Sequence, residues 1–160
     1  ETKAGVVLMH LNGNFETMHQ QLVTEDIVAN VTEVFKRYKQ GAADAGISSD
    51  SVVLDIGIGF GKTLDQNLSL IARIDELCDR FPKTPILIGT SRKSFISKAL
   101  GEVPTEDRLP GSLASAVIAF NGGARIFRVH DVKETVQALR IVERLADSRI
   151  PERLRKGDLK

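Results

Sequence analysis

Four short apolar runs, each ending in polar residues and each separated from the next by helical sequence, restrict the fold of this 160-residue chain more than any other feature. The runs are Val6-Val7-Leu8-Met9, Val52-Val53-Leu54, Ile86-Leu87-Ile88 and Ala124–Val129. Near-continuous apolar strands are buried on both faces, and strands alternating with helices build parallel βα units of roughly 40 residues here, about four in all. The first helix begins at Asp26, with Ile27, Val31, Phe35, Tyr38, Ala42 and Ala45 at helical spacing and Gly46 as its stop. A second covers Gln66–Arg80, with its stripe at Leu68, Ile71, Ile74, Leu77 and Cys78. Ser94–Leu100 and Gly111–Asn121 flank a charged loop. Lys133–Ser148 is the last helix, and Asp131 and Glu134 have capping-box spacing at its start.

In parallel α/β folds the ligand sits at the carboxyl ends of the strands. Here those ends carry Met9-His10, Asp55 with Gly57, Gly59 and Gly61, the SRKS stretch Ser91–Ser94, and Arg128-Val129-His130-Asp131. One rim of one sheet is therefore the expected site. Its glycine turn is neither of two familiar phosphate motifs. Ile56 stands where a P-loop needs glycine, and Lys62 stands where a dinucleotide fingerprint needs its third. Asp55, a carboxylate at the end of an apolar strand, calls for a donor-rich partner: a basic side chain, or a heterocycle with adjacent N–H and NH2 groups. SRKS at a helix start gathers hydroxyls, cations and free backbone N–H groups, which is an anion site by dipole and by charge. Arg128 and His130 alternate about Val129 and so share a face. Arginine grips phosphate with two donors and offers a flat plane for stacking, and a histidine beside it suits a leaving pyrophosphate.

Composition narrows the classes. With 42% hydrophobic and 27% charged residues, the chain has the makings of one soluble domain, expected over residues 1–150, followed by a charged, frayed tail at 151–160. A net charge of +1 carries no global signal for nucleic acid or membrane, so anion binding must come from local placement of cations. The lone Cys78 excludes an intrachain disulfide, and with three histidines a transition-metal site is not expected. No apolar run approaches the roughly 20 residues that span a bilayer. Glu1-Thr2-Lys3 has no signal-peptide pattern, and a cytoplasmic location is expected.

The segments MHLNGNFETM, LDIGIGFGKTLDQN, IGTSRKSF and RLPGSLASAVIAFNGGARIFRVHDVKET, in this order, resemble the dihydropteroate synthase family from about Ala4 to Leu145. The resemblance implies a (β/α)8 barrel, of which this chain is the second half, about (βα)4, an α/β fold of parallel units. It implies a transferase joining 6-hydroxymethyl-7,8-dihydropterin pyrophosphate to p-aminobenzoate, with release of pyrophosphate. Asp55 resembles the carboxylate that receives the pterin N–H and NH2 groups, and Lys93 the lysine at the pterin's polar edge. Ser94 resembles the residue holding the p-aminobenzoate carboxylate, and Phe60 the aromatic beside that substrate. Arg128 resembles the arginine that stacks on the pterin and, with His130, grips the pyrophosphate. Met9 and Gly89 match the wall and floor of the pterin pocket. Lys93, Arg128 and His130 are thus the expected catalytic residues.

The chain departs from the family pattern in three places. Ile56 replaces a customary proline, Gly13-Asn14-Phe15 replaces a glycine–small–proline loop, and the amino-terminal half-barrel is absent. That half supplies, by the same resemblance, an Asn for Mg2+ and further pterin ligands, so no metal ligand is expected among the residues present. An open half-barrel exposes strand edges and an apolar face, and is expected to homodimerise or pair with its missing half. A related pterin-binding methyltransferase and a non-catalytic half-barrel assembly module are the alternatives in reserve.

Overall fold

The computed structural model of the chain describes residues 4–13 and 25–148. The loop positions 14–24, which include His19, and the expected tail at 151–160 lie outside the described residues. Four strands form one sheet, β1 (Val6–Met9), β2 (Val52–Asp55), β3 (Ile86–Ile88) and β4 (Ile126–Phe127). They lie in the order β1-β2-β3-β4, and every neighbouring pair is parallel. Strand order that follows chain order, with a helix after each strand, is the winding of a (β/α)8 barrel, here four strands of it.

The helices are α1 (Ile27–Asp44), α2 (Leu64–Ala72), α3 (Ile74–Arg80), α4 (Ser94–Leu100), α5 (Leu109–Asn121) and α6 (Val132–Ser148). Asp26 starts α1 as expected, its carboxylate accepting from the Val28 and Ala29 amides. Ile27, Val31, Phe35 and Ala42 are buried under the sheet, whereas Tyr38 and Ala45 lie on its exposed side. The core joins Leu54 and Ile88 of the sheet to Val28, Leu70, Ile74 and Leu77 of the helices. Phe35 and Phe81 meet edge to face at 5.8 Å within it.

Three sequence expectations change. The helix expected over Gln66–Arg80 is two helices, because Arg73 leaves helical geometry (φ −111°, ψ 26°). There its guanidinium turns aside to pair with Glu76 and with Asp26 at the start of α1. The first piece starts early, at Leu64, because Thr63 and Gln66 form a reciprocal capping box. With that shift Leu68 is 41% exposed and is not part of the buried stripe. The last strand is shorter than Ala124–Val129: it pairs only at Ile126 and Phe127, so Arg128 and His130 lie in the loop beyond it. Finally, the Asp131 carboxylate is taken by Arg92 and not by a cap of α6, which begins at Val132.

Register decides what faces the strand ends. Met9 pairs with Asp55, Asp55 with Leu87, and Leu87 with Ile126, giving one row across the sheet. Side chains alternate along a strand, so the next position up on the same face brings Gly57, Gly89 and Arg128 together. Of the two glycines, Gly89 is the one that lies against the Arg128 guanidinium.

Candidate active site

Asp55 closes β2 with its side chain buried (1% exposed). One carboxylate oxygen accepts from the Gly57 amide at 2.8 Å, and the other from Arg128 Nη2 at 3.0 Å. The pair is lopsided: the Asp55 side chain is 2% exposed and that of Arg128 58%. The carboxylate is thus fixed, while the guanidinium spans the open rim with one face available. Gly89 is what lets it lie there, since a Cβ on residue 89 would come within 3.1 Å of Arg128 Nη2. Gly89 thus lies directly against the Arg128 guanidinium.

The glycine turn is built for its own chain first. Gly57 has φ +63°, and a Cβ there would sit 1.9 Å from the His10 carbonyl oxygen. Gly61 has φ +68°, and its Cβ would sit 2.1 Å from the Asn12 carbonyl oxygen. Left-handed backbone and direct clash both demand glycine at these positions. The close approach at Gly57 is made by the exit of β1, and Gly61 packs against the residues that follow it. Hydrogen bonds from the His10 amide to Asp55 O (2.9 Å) and from Asn12 Nδ2 to Gly61 O (3.0 Å) lock the two loops. Ile56, in place of proline, adds a long rung at 3.4 Å from its amide to Leu87 O, which a proline lacks the hydrogen to make.

Lys62 is the residue that sequence reading missed. Its side chain is buried, and its ammonium donates to Gly57 O at 2.8 Å, Phe60 O at 3.1 Å and His10 O at 3.4 Å. Burial pushes its pKa down to about 7, helped by the charge of Lys93 and opposed by Asp55. The signal was in the sequence as the lysine of a failed P-loop: a lysine directly after a glycine turn reaches back to the turn's own carbonyls instead of a phosphate. His10 beside it is fully buried, its Nε2 2.9 Å from Asn30 Oδ1, and burial together with Lys62 lowers its pKa to about 4.

Lys93 precedes α4 and turns back over the glycine turn. Its ammonium donates to Ile58 O and sits 4.7 Å from the Phe60 ring centroid, a cation–π distance. Burial lowers its pKa to about 8, with Asp55 opposing and Arg128 assisting. Phe60 and Lys93 are thus brought together as expected, with Asp55 and Arg128 alongside. Ser94 is exposed at the first position of α4, with no side-chain cap on that helix. Met9 is half-buried opposite Asp55.

The SRKS stretch is not two free cations. Arg92 has φ 55°, an uncommon conformation for a residue with a Cβ. Its guanidinium holds Asp131 with two bonds of 2.6 and 2.8 Å, and also reaches Thr105 O and Glu106 O. It is a strut between the β3 and β4 loops, which leaves Lys93 as the cation of the stretch that faces Asp55. His130 is exposed, with Nδ1 3.0 Å from Ser91 Oγ. Among the described residues no group of three or more His, Cys, Asp or Glu is placed to hold a metal ion.

The rim can therefore bind a flat, donor-rich ring at a fixed carboxylate, place a guanidinium and an imidazole over an anion, and pack an aromatic acid against Phe60. Known proteins resemble the chain over most of its length. The sequence profile of pterin binding enzymes matches residues 1–130. The dihydropteroate synthase of Escherichia coli K12 is 48% identical over 143 residues, which span 89% of this chain and 50% of that protein. That of Neisseria meningitidis serogroup B is 38% identical over 91% of this chain and 51% of its own length. The structure of Yersinia pestis dihydropteroate synthase with a sulfonamide drug superposes with a TM-score of 0.83 at 40% identity, over 89% of this chain and 51% of that one. The Xanthomonas albilineans enzyme in complex with 7,8-dihydropteroate gives 0.80 at 35% identity, over 92% and 52%. The chain spans about half the length of the relatives it matches.

Proposed function

The chain belongs to the pterin binding enzyme family, and from that premise we propose that it is the carboxyl-terminal half of a dihydropteroate synthase. The whole enzyme condenses 6-hydroxymethyl-7,8-dihydropterin pyrophosphate with p-aminobenzoate, giving 7,8-dihydropteroate and pyrophosphate. The observation that carries this reading is the buried Asp55 carboxylate, fixed by Gly57 and spanned by a half-exposed Arg128. A fixed acceptor below and an open guanidinium plane above suit a pterin that donates N–H and NH2 groups in its plane and stacks on its face.

In the proposed reaction the C–O bond to the diphosphate breaks, and the electron pair leaves with pyrophosphate. Arg128 and His130 stabilise the departing charge, and Asp55 stabilises the pterin cation left behind. The arylamine nitrogen of p-aminobenzoate, held between Phe60 and the Ser94 end of α4, then forms the C–N bond and gives up a proton to solvent. Lys93 lies between the two subsites and orients the pterin edge. The protein contributes positioning and charge stabilisation, and no general base is required. Mg2+ belongs to this reading as a companion of the diphosphate. The family resemblance assigns its protein ligand to the other half, and no step here runs through it.

Pairing is part of the proposal. β1 and β4 end the sheet with unpaired edges among the described residues, and Val7 on β1 is 53% exposed. Val132, Val136, Ile141 and Leu145 of α6 are exposed as well. These surfaces favour closure by the complementary half-barrel, with self-association through the helical side as the second mode. No helix in the described residues is long and apolar enough to cross a membrane, and a cytoplasmic location is the reading we carry. Calorimetry of the chain with 6-hydroxymethylpterin tests the pocket. Binding that Asp55→Asn weakens by about 10–100-fold supports the reading, and binding that Asp55→Asn leaves unchanged refutes it.

A further inference from the structure

Backbone pairing between β3 and β4 ends at Ile88–Phe127, with Arg128 N donating to Ile88 O at 3.0 Å. Beyond that point side chains continue the ladder at the same 39-residue offset, Ser91 to His130 and then Arg92 to Asp131. The first of these rungs fixes a proton. Ser91 is buried (5% exposed), and among the described residues its hydroxyl oxygen meets two polar atoms of His130: the backbone N at 3.2 Å and Nδ1 at 3.0 Å. A backbone N–H can only donate, so the oxygen accepts there. The oxygen's second lone pair leaves room for an Nδ1–H as well, but only donation to Nδ1 gives the hydroxyl hydrogen an acceptor among the described residues. With the hydroxyl donating, Nδ1 of the neutral ring is bare and the proton sits on Nε2, the ring nitrogen away from Ser91 on an exposed residue.

We propose that Ser91 is a positioning residue that locks His130 in the Nε2–H tautomer, so that the imidazole presents one aimed donor to a diphosphate oxygen. The second half of that statement rests on the reading of the rim as a pyrophosphate site; the first does not. The rung from Arg92 to Asp131 holds the next residue of each loop, so the serine and the imidazole cannot easily drift apart.

Long-range proton–nitrogen correlation spectra of the 15N-labelled chain report the tautomer without any activity. At about pH 8.5, two units above the ordinary imidazole value, His130 is expected to show a protonated Nε2 and a bare Nδ1. Its signals are identified by their loss in His130→Gln. Ser91→Ala is expected to give a mixture of tautomers and to weaken binding of inorganic pyrophosphate about fivefold. Ser91→Thr, which keeps the hydroxyl, is expected to restore both and serves as the control for folding. A protonated Nδ1 in the parent chain, or the same single tautomer in Ser91→Ala, overturns the assignment to Ser91. A locked tautomer whose signals ignore pyrophosphate overturns the diphosphate reading of His130 and leaves the Ser91 lock standing.

Discussion

The two halves of the rim are held together by different means. On the β1–β2 side, backbone meets backbone: Gly57 and Gly61 press against the carbonyls of His10 and Asn12, and the buried Lys62 ammonium ties three carbonyls with, among the described residues, no carboxylate bonded to it. On the β3–β4 side, side chains do the holding, through Ser91–His130 and a partly exposed Arg92–Asp131 pair. Contacts made of backbone and a buried charge have little tolerance for change. Partly solvated pairs contribute little to stability, and serve mainly to place the groups that act. Breaking the contacts that hold the first side together is therefore expected to show in folding, and breaking those of the second to show in function.

The largest effect expected is that of Gly57→Ala. It combines a left-handed φ with a direct clash on His10 O, and should cost roughly 3–5 kcal/mol in chemical denaturation. A loss under about 1 kcal/mol would break the distinction at its strongest point.

Lys62→Met comes next. Removing the donor from three carbonyls should cost about 1–3 kcal/mol, and the pH profile separates this from ordinary core damage. In the parent chain the pKa of Lys62 is lowered from 10.5 to about 7, so between these values the unfolded state binds the proton and the folded state does not. Stability therefore rises as pH climbs from about 7 toward 10.5. Lys93, lowered to about 8, adds a rise of the same sign at higher pH. Denaturation midpoints measured across that window should rise less in Lys62→Met than in the parent. An identical slope would mean that Lys62 is not the buried titrating group. Anion binding should run the opposite way and weaken as the two lysines lose charge.

Arg92→Ala should be the mildest for stability, since Arg92 and Asp131 are partly exposed. Its effect is expected in function, as a loss of pyrophosphate affinity of about fivefold or less, readable by calorimetry. A collapse of the fold in this variant would erase the contrast between the two sides.

Much of this rim was legible before any coordinates. Asp55, Lys93, Arg128 and His130 are polar residues at strand ends, and parallel topology alone brings strand ends together. Phe60 and Gly89 were legible only through family resemblance, since nothing in a lone aromatic or glycine reveals its neighbour. Lys62 was missed because a sequence pattern shows where a lysine is, not where its long stem goes. Arg92 was read as a free cation because its partner, Asp131, lies on another strand's loop. The break at Arg73 escaped for a related reason: α2 and α3 have continuous helical periodicity, and the pairing of Arg73 with Asp26 at the break is a tertiary contact that periodicity does not show. Local pattern gave the elements, while long-range side-chain pairing set their ends.

The central claim is that this chain carries half of a dihydropteroate synthase site and needs the other half to complete it. Formation of 7,8-dihydropteroate from labelled p-aminobenzoate, by the chain alone and by the chain co-expressed with an amino-terminal half-barrel, tests this most directly. The account predicts product only when both halves are present, and its loss when Arg128→Ala or Asp55→Asn is introduced in this half. Normal turnover by the chain alone, or an unchanged rate in both variants, would contradict it.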